Sequence, residues 1–350
     1  MTTVRFRFTA VLAALVLVAS SSILLSRMSS AATVVQNKGI STVVYDYWAS
    51  DADAIATAHS MFTYMKSLGA NAVSLNFNFY SASSTDNTIS SGPGTPSPAR
   101  LGLIVNEAKK SGLRVELRPL MEETSLKPGW RGSIAPTDPA AWFASYTTFL
   151  TPYLQMAKTQ GVADFVIGAE LTSMVQYQTY WTPLINFAKS TSKCFVMFDA
   201  NWEPVAGPKG AGFGLDFYRP VWLGWTGKPT VTNLAKQMHL GLTTIGGLVK
   251  ALPPVPLKDL TLGEVGISAV DQAWLFPGRV VSGSPIVRSV QANWFTAACQ
   301  TFKKDHLRGI YYWALFMAPG WSPTQNDAAS AYEWMNTDSA KAIKTCFTTK

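Results

Sequence analysis

The sequence predicts an α/β fold, a single (β/α)8 TIM barrel, on three observations. Apolar runs of strand length alternate with longer helical stretches from residue 40 to the end, there are eight such runs, and two of them stop on a carboxylate, Glu170 and Glu264. Runs that are apolar throughout suit strands of a parallel sheet covered by helices on its outer face. Side chains at the C-terminal ends of barrel strands face the mouth where barrels keep their working surface.

The strands are expected at 42–47, 72–77, 114–119, 164–168, 195–200, 214–218, 260–263 and 309–313, with helices at 51–68, 98–111, 139–159, 180–190, 230–251, 287–304 and 328–345. Asp138-Pro139 is a good helix start, because the aspartate caps the first turn and the missing proline N–H costs nothing there. One helix is lacking: the Gly- and Pro-rich stretch 202–213 is barely long enough to cross between two parallel strands. Long loops at 81–98 and 122–137 follow the second and third strands, on the side of the mouth. No linker or repeat divides the chain, so residues 33–350 are expected to form one catalytic domain.

Residues 1–32 are expected to be a secretory signal peptide. Arg5 and Arg7 precede an apolar run from Phe8 to Leu25, and Ser30, Ala31 and Ala32 offer a cleavage site. The alternative is an uncleaved membrane anchor, against which Ser20, Ser21 and Ser22 interrupt the run. Cleavage makes the protein secreted or extracytoplasmic, and removing Arg5, Arg7 and Arg27 lowers the net charge of +8 to about +5. The remaining basic residues are scattered, which argues against a nucleic-acid partner.

Three cysteines, Cys194, Cys299 and Cys346, allow one disulfide and one free thiol, and their spacing resembles no metal site. Cys299 with Cys346 is the expected pair, since both fall on late helices while Cys194 opens a strand; three buried thiols are the alternative. His59, His239 and His306 are read as isolated surface or packing residues. No metal or cofactor is expected, and a monomer is.

The paired carboxylates point to chemistry. Cleaving a glycosidic bond needs a proton for the leaving oxygen and a negative charge beside the developing oxocarbenium ion. Two carboxyls about 5 to 5.5 Å apart retain configuration, and a wider gap leaves room for water and inverts it.

The collinear series Gly69-Ala-Asn71-Ala-Val-Ser-Leu75, Gly112-Leu-Arg-Val-Glu-Leu-Arg-Pro119, Trp130-Arg-Gly132 with Trp142-Phe143 and Ser145-Tyr146, Gly168-Ala-Glu-Leu171, Asn201-Trp202, Leu215-Asp-Phe-Tyr218, Gly263-Glu-Val-Gly266 and Tyr312-Trp313 resembles the retaining glycoside hydrolases of clan A. Within the clan it is most similar to the β-mannanase-like family 113. The resemblance covers nearly the whole chain after the signal and implies Glu170 as acid/base and Glu264 as nucleophile. It also implies a β-linked polysaccharide or oligosaccharide as substrate, with β-mannan favoured and β-glucan or another hexosan as the alternative. Ala169, where many clan members have Asn, and Leu120, where the nearer family tends to have His, depart from the pattern.

Arg118 and the Tyr218 hydroxyl are candidate donors to Glu264. Trp313 resembles the family's sugar-stacking tryptophan. Trp130, Trp202, Asn201, Asp46 and Tyr47 are further candidates for substrate binding, each with a local structural role as the competing reading. Glu122 and Glu123 are read as rim residues. A catalytically inactive carbohydrate-binding barrel is the competing function, against which the presence of both glutamates argues.

Overall fold

The computed structural model describes residues 36–127, 129–221, 228–248, 255–281 and 283–349, all within one compact unit, Val35–Lys350. The expected signal peptide, its cleavage site and the end of the fifth expected helix lie outside the described residues. Eight parallel strands close into a barrel in chain order: β1 (Asn37–Val44), β2 (Ala72–Phe79), β3 (Arg114–Met121), β4 (Asp164–Ala169), β5 (Phe195–Asn201), β6 (Gly212–Asp216), β7 (Leu260–Val265) and β8 (Gly309–Met317). β2, β4 and β7 are buried at every position, the pattern of strands covered on both faces.

The helices of the outer ring are α1 (Asp51–Ser67), α2 (Pro98–Lys110), α3 (Pro139–Gln160), α4 (Gln178–Ser192), α5 (Val231–Leu248), α6 (Arg288–Lys304) and α7 (Asp338–Thr348). Ser50, Ser97 and Asp138 cap α1, α2 and α3 by accepting backbone N–H groups of the first turn, and α3 ends on Gly161 in the left-handed region at φ 61°. Residues 202–211 join β5 to β6 without a helix, as the composition of that stretch predicts.

Three elements differ from expectation by more than two residues among the described residues, and β6 is Gly212–Asp216 rather than 214–218, so Tyr218 lies just beyond it. β1 is Asn37–Val44 rather than 42–47, so Asp46 and Tyr47 lie beyond the strand. The strand begins early because its backbone pairs with β8 from Asn37, opposite Gly309, and Gly39 leaves the room that the Tyr311 ring fills. β8 runs on to Met317, which puts Trp313 within the strand rather than at its end. The last helix starts ten residues late. Arg288 donates to the carbonyls of Asp327, Ser330 and Glu333, and the Asp327 carboxylate accepts the Met335 N–H, so that stretch is held as a loop until Thr337 caps α7.

Cys299 on α6 and Cys346 on α7 form a disulfide, with Cα atoms 5.7 Å apart, and Cys194 is a buried thiol. Two histidines read as isolated have partners: His59 meets Glu107 at 2.8 Å between α1 and α2, and His239 meets Asp305 at 2.8 Å. No helix among the described residues is long and apolar enough to cross a membrane.

Candidate active site

β3 alternates in and out, which puts Arg114, Glu116 and Arg118 on one face at successive levels, Arg114 exposed at the start of the strand and the other two buried in the interior. At the lowest level Arg114 and Arg308 both pair with the buried Asp164. Glu116 sits above them, fully buried, with neither carboxyl oxygen hydrogen-bonded within the described residues. Burial first, then the neighbouring Asp199 and Asp164, push its pKa up to about 8, which favours the protonated form.

Arg118, also fully buried, forms the centre of the site. Its Nε donates to Asp199 Oδ2 at 2.9 Å, its Nη2 to Asp216 Oδ2 at 2.6 Å, and its Nη1 to Asn76 Oδ1 at 2.9 Å. The same Nη1 lies 2.6 Å from Glu264 Oε1. A guanidinium offers its donors in a fixed planar fork, so carboxylates from β5, β6 and β7 and an amide from β2 hold it in one orientation. One cation cannot neutralise three buried carboxylates. Burial accordingly raises Asp199 to about 6, and raises Asp216 well above the usual range, with the Arg118 charge opposing both shifts.

Glu264 is 6% exposed at the top of this network. Its second oxygen accepts the Tyr218 hydroxyl at 2.6 Å. Burial, and next the Glu264 charge, hold the Tyr218 phenol well above its ordinary pKa, so it remains a donor. Tyr332 lies beside it: a Cβ on Gly266 would stand 2.5 Å from the Tyr332 hydroxyl and 3.3 Å from that of Tyr218, so only glycine lets the backbone approach both rings.

Glu170 follows the last residue of β4 with φ 55°, a left-handed conformation that a non-glycine residue adopts at a cost of about 1 kcal/mol or more. Its N–H donates to the Asp199 carbonyl at 2.8 Å, and its own carbonyl accepts the Thr172 N–H at 2.7 Å, which hold the turn in place. No described residue hydrogen-bonds its carboxyl, in contrast to Glu264. Burial is the largest cause of a pKa raised to about 7, the Arg131 guanidinium opposes it, and the negative Glu264 adds to it. Two carboxyls at one mouth thus have opposite environments, one held by cationic and neutral donors and one desolvated and near neutrality.

Trp313 joins this group, with its ring centroid 5.7 Å from the Arg118 guanidinium carbon and its carbonyl fixed by the Trp334 indole N–H at 3.0 Å. Beside it opens a cavity of about 500 Å³ walled by Val280, Ile286, Phe316, Tyr332 and Glu333. Glu170, Glu264, Arg118, Tyr218 and Trp313 are therefore brought together.

The other candidates are described by local contacts or exposure. Asn201 turns onto its own loop, accepting the Trp202 N–H and donating to the Glu203 carbonyl. Asp46 pairs with Arg100 at 3.3 Å. Trp202 packs, partly buried, on the core, and Trp130 lies over Gly132, whose absent Cβ would be 2.2 Å from the indole. Tyr47 is 59% exposed. Of the rim glutamates, Glu122 accepts the N–H of Glu123, and Glu123 pairs with Arg131 at 2.8 Å.

Asp199, Asp216, Asn76 and Tyr332 complete the site and were missed. The two aspartates carry the signal that marks the glutamates, an apolar run stopping on a carboxylate, in Phe195-Val-Met-Phe-Asp199 and Gly212-Phe-Gly-Leu-Asp216. Asn76 belongs to an inward polar row with Ser74 and Asn78 at period two. Tyr332 comes from a loop with no periodic pattern.

Among the described residues no group of three or more His, Cys, Asp or Glu is placed to hold a metal ion. No curated protein sequence matches this chain. Similar solved structures include a GH113 β-1,4-mannanase complex, at 16% identity and TM-score 0.70 over 90% of this chain and 99% of that one. A GH113 β-mannanase from Alicyclobacillus acidocaldarius in complex with ManMIm aligns at 19% identity and TM-score 0.70, over 89% of this chain and 97% of that one. An endo-1,4-β-mannanase from Rhizomucor miehei aligns at 13% identity and TM-score 0.52, over 87% and 94%. At these identities the likeness establishes the barrel fold. The sequence model of Glycoside Hydrolase Family 113 matches residues 46–335, most of the chain, and the protein belongs to that family of glycoside hydrolases.

Proposed function

We propose that the protein is a secreted, monomeric β-mannanase that cleaves by retaining double displacement, with Glu170 as acid/base and Glu264 as nucleophile. The observation that carries this reading is the contrast between the two carboxyls. Arg118 and Tyr218 fix both oxygens of Glu264, as an ionised nucleophile requires, whereas burial raises Glu170 to about 7, where it can hold and release a proton. Family membership supports the reaction type, and the mannanases with the same fold support β-mannan as substrate.

In the first step Glu264 attacks the anomeric carbon while Glu170 gives its proton to the leaving oxygen. Esterification removes the charge of Glu264, one of the causes of the raised pKa of Glu170. The now ionised Glu170 is then a base that takes a proton from the water attacking the glycosyl ester, and Glu264 leaves as a carboxylate. Trp313 offers an apolar face to the sugar ring beside the reacting carbon. Export is supported by the arginine-led apolar segment followed by small residues in 1–32, and by the Cys299–Cys346 disulfide, which suits an oxidising compartment.

The test is to incubate residues 33–350 with β-mannans and β-glucans and to follow the first-formed anomer by NMR. β-Anomer from mannan is the expected product. An α-anomer rules out double displacement, cleavage of glucan alone rules out the substrate, and no product from any glycan favours a binding barrel. Azide should restore turnover to the Glu264→Ala variant, and a folded variant that azide cannot rescue removes Glu264 from the nucleophile's role.

A further inference from the structure

The loop that follows β1 carries an exposed aromatic surface that the chemistry at Glu170 and Glu264 does not use. Tyr47 is 59% exposed, and its ring lies 6.3 Å from that of Tyr45 with only 6° between the planes. Asp46, between them, points to the other side and pairs with Arg100. The segment is pinned by Tyr45 N–H to the Met317 carbonyl, Asp46 N–H to the Gly94 carbonyl and Tyr47 N–H to the Tyr45 carbonyl, each at 2.9 Å.

One glycine backs both rings. Gly94 has φ 75°, and a Cβ there would stand 3.0 Å from the Tyr47 ring and 3.3 Å from that of Tyr45, so its bare backbone supports the pair from one side. Tyr80 joins the group with its hydroxyl on the Pro93 carbonyl at 2.5 Å. The partly buried Glu122 places a carboxylate beside the tyrosines, held from behind by the buried Asn78 amide at 3.4 Å, and the Glu122 charge helps to raise the pKa of both Tyr45 and Tyr80. Arg131 pairs at 2.8 Å with Glu123, whose N–H donates to the Glu122 carboxylate at 2.9 Å, and the Arg131 charge also acts on Glu170.

Two near-parallel phenol rings, Tyr47 exposed and Tyr45 partly buried behind it, with a carboxylate at their edge, form a platform for one face of a pyranose. Its C–H face stacks on an aromatic plane, and its hydroxyls need an acceptor at the rim, which Glu122 offers. Core packing, the ordinary role of a tyrosine pair, does not fit a ring exposed to this degree.

We infer that Tyr47 and Tyr45, with Glu122, form a distal sugar-binding subsite that takes hexopyranose units of a β-linked chain remote from the bond being cleaved. This rests on the proposed glycan substrate and adds where the chain runs: from the mouth between Glu170 and Glu264, past Arg131, to the loop after β1.

The experiment compares kcat/KM of the full chain and its Tyr47→Ala and Tyr47→Trp variants on β-1,4-manno-oligosaccharides from trimer to hexamer. Tyr47→Ala should lower kcat/KM on the hexamer about five- to tenfold more than on the shortest chain cleaved, and Tyr47→Trp should keep the wild-type dependence on length. A loss equal at all lengths, or no loss, overturns the subsite. Affinity of the hexamer for Glu264→Gln, with and without Tyr47→Ala, gives the same answer free of catalysis, and an unchanged Kd overturns it. If the wild type cleaves gluco- and not manno-oligosaccharides, the mannan reading fails, and the length ratio is read on the gluco series.

Discussion

Arg118 on β3 reaches across the barrel interior to Glu264 on β7, Nη1 to Oε1 at 2.6 Å, and the two form the only described contact between a cation and the candidate nucleophile. The same guanidinium is held by Asp199 and Asp216, so what fixes Glu264 is itself fixed by two carboxylates that compete for its charge.

Arg118→Lys should therefore be costly although the charge is kept. An ammonium cannot present the fork that meets Asp199, Asp216 and Glu264 together. Loss of one preorganised donor lowers kcat by about 10²–10³-fold, and leaving buried carboxylates unpaired destabilises by about 3 kcal/mol. Turnover together with urea unfolding checks both, and a variant with wild-type kcat would show that the network is structural only.

Tyr218→Phe removes the 2.6 Å donor to Glu264 without changing the shape of the ring. A hydrogen bond to a charged group contributes about 1.5–3 kcal/mol, so kcat should fall about ten- to a hundredfold. The melting temperature should move little, since the partner left behind still has Arg118. A large fall in Tm with unchanged kcat would reverse this assignment.

The pH profile follows from Glu170. As the acid it must be protonated, and its pKa is about 7. Activity should thus decline as pH rises through about 7. Arg131 opposes the shift and pairs with Glu123, which adds to it. Arg131→Gln removes the opposing charge and frees Glu123, and both effects raise the Glu170 pKa. The alkaline limb of kcat/KM should move to higher pH in that variant; movement to lower pH would contradict the role of Glu170.

Glu116 predicts a pH effect on stability rather than on rate. Its folded pKa, about 8, lies above the ordinary value of 4.5 because the ionised form is buried beside Asp199 and Asp164. The stability linked to its proton is complete below about 4.5 and is lost as pH rises through about 8. Glu116→Gln carries no such charge, so its Tm relative to wild type should increase with pH over this window. A difference that stays constant from pH 5 to pH 9 would show that Glu116 is not titrating.

Reducing Cys299–Cys346 should destabilise the protein by about 2–4 kcal/mol, because the bridge closes a loop with a sequence separation of 47 that ties α6 to α7. Denaturant midpoints with and without reductant measure it, and the Cys299→Ser, Cys346→Ser double variant should reproduce the reduced value.

Much of the barrel was legible from residues alone. The eight strands occur in the expected order, and the two glutamates at the ends of apolar runs arrive at one mouth. Boundaries were read less well where an interior contact decides them. Pairing of Asn37 with Gly309 on β8 moves the start of β1 toward its N-terminus, and the Arg288 bonds to carbonyls of 327–333 delay the last helix.

By itself, then, the sequence determined the order of β and α units, the helix caps, and which strands end on a carboxylate, because hydrophobic period and capping chemistry are local. Only the tertiary structure decided that Arg118, Asn76, Asp199, Asp216 and Glu264 meet, that Asn201 and Asp46 turn away, and that Tyr47 lies open beside Tyr45. Period two tells which face of a strand a residue occupies. The stagger between strands, set when the barrel closes, tells which residues of different strands share a level, and no single strand encodes it.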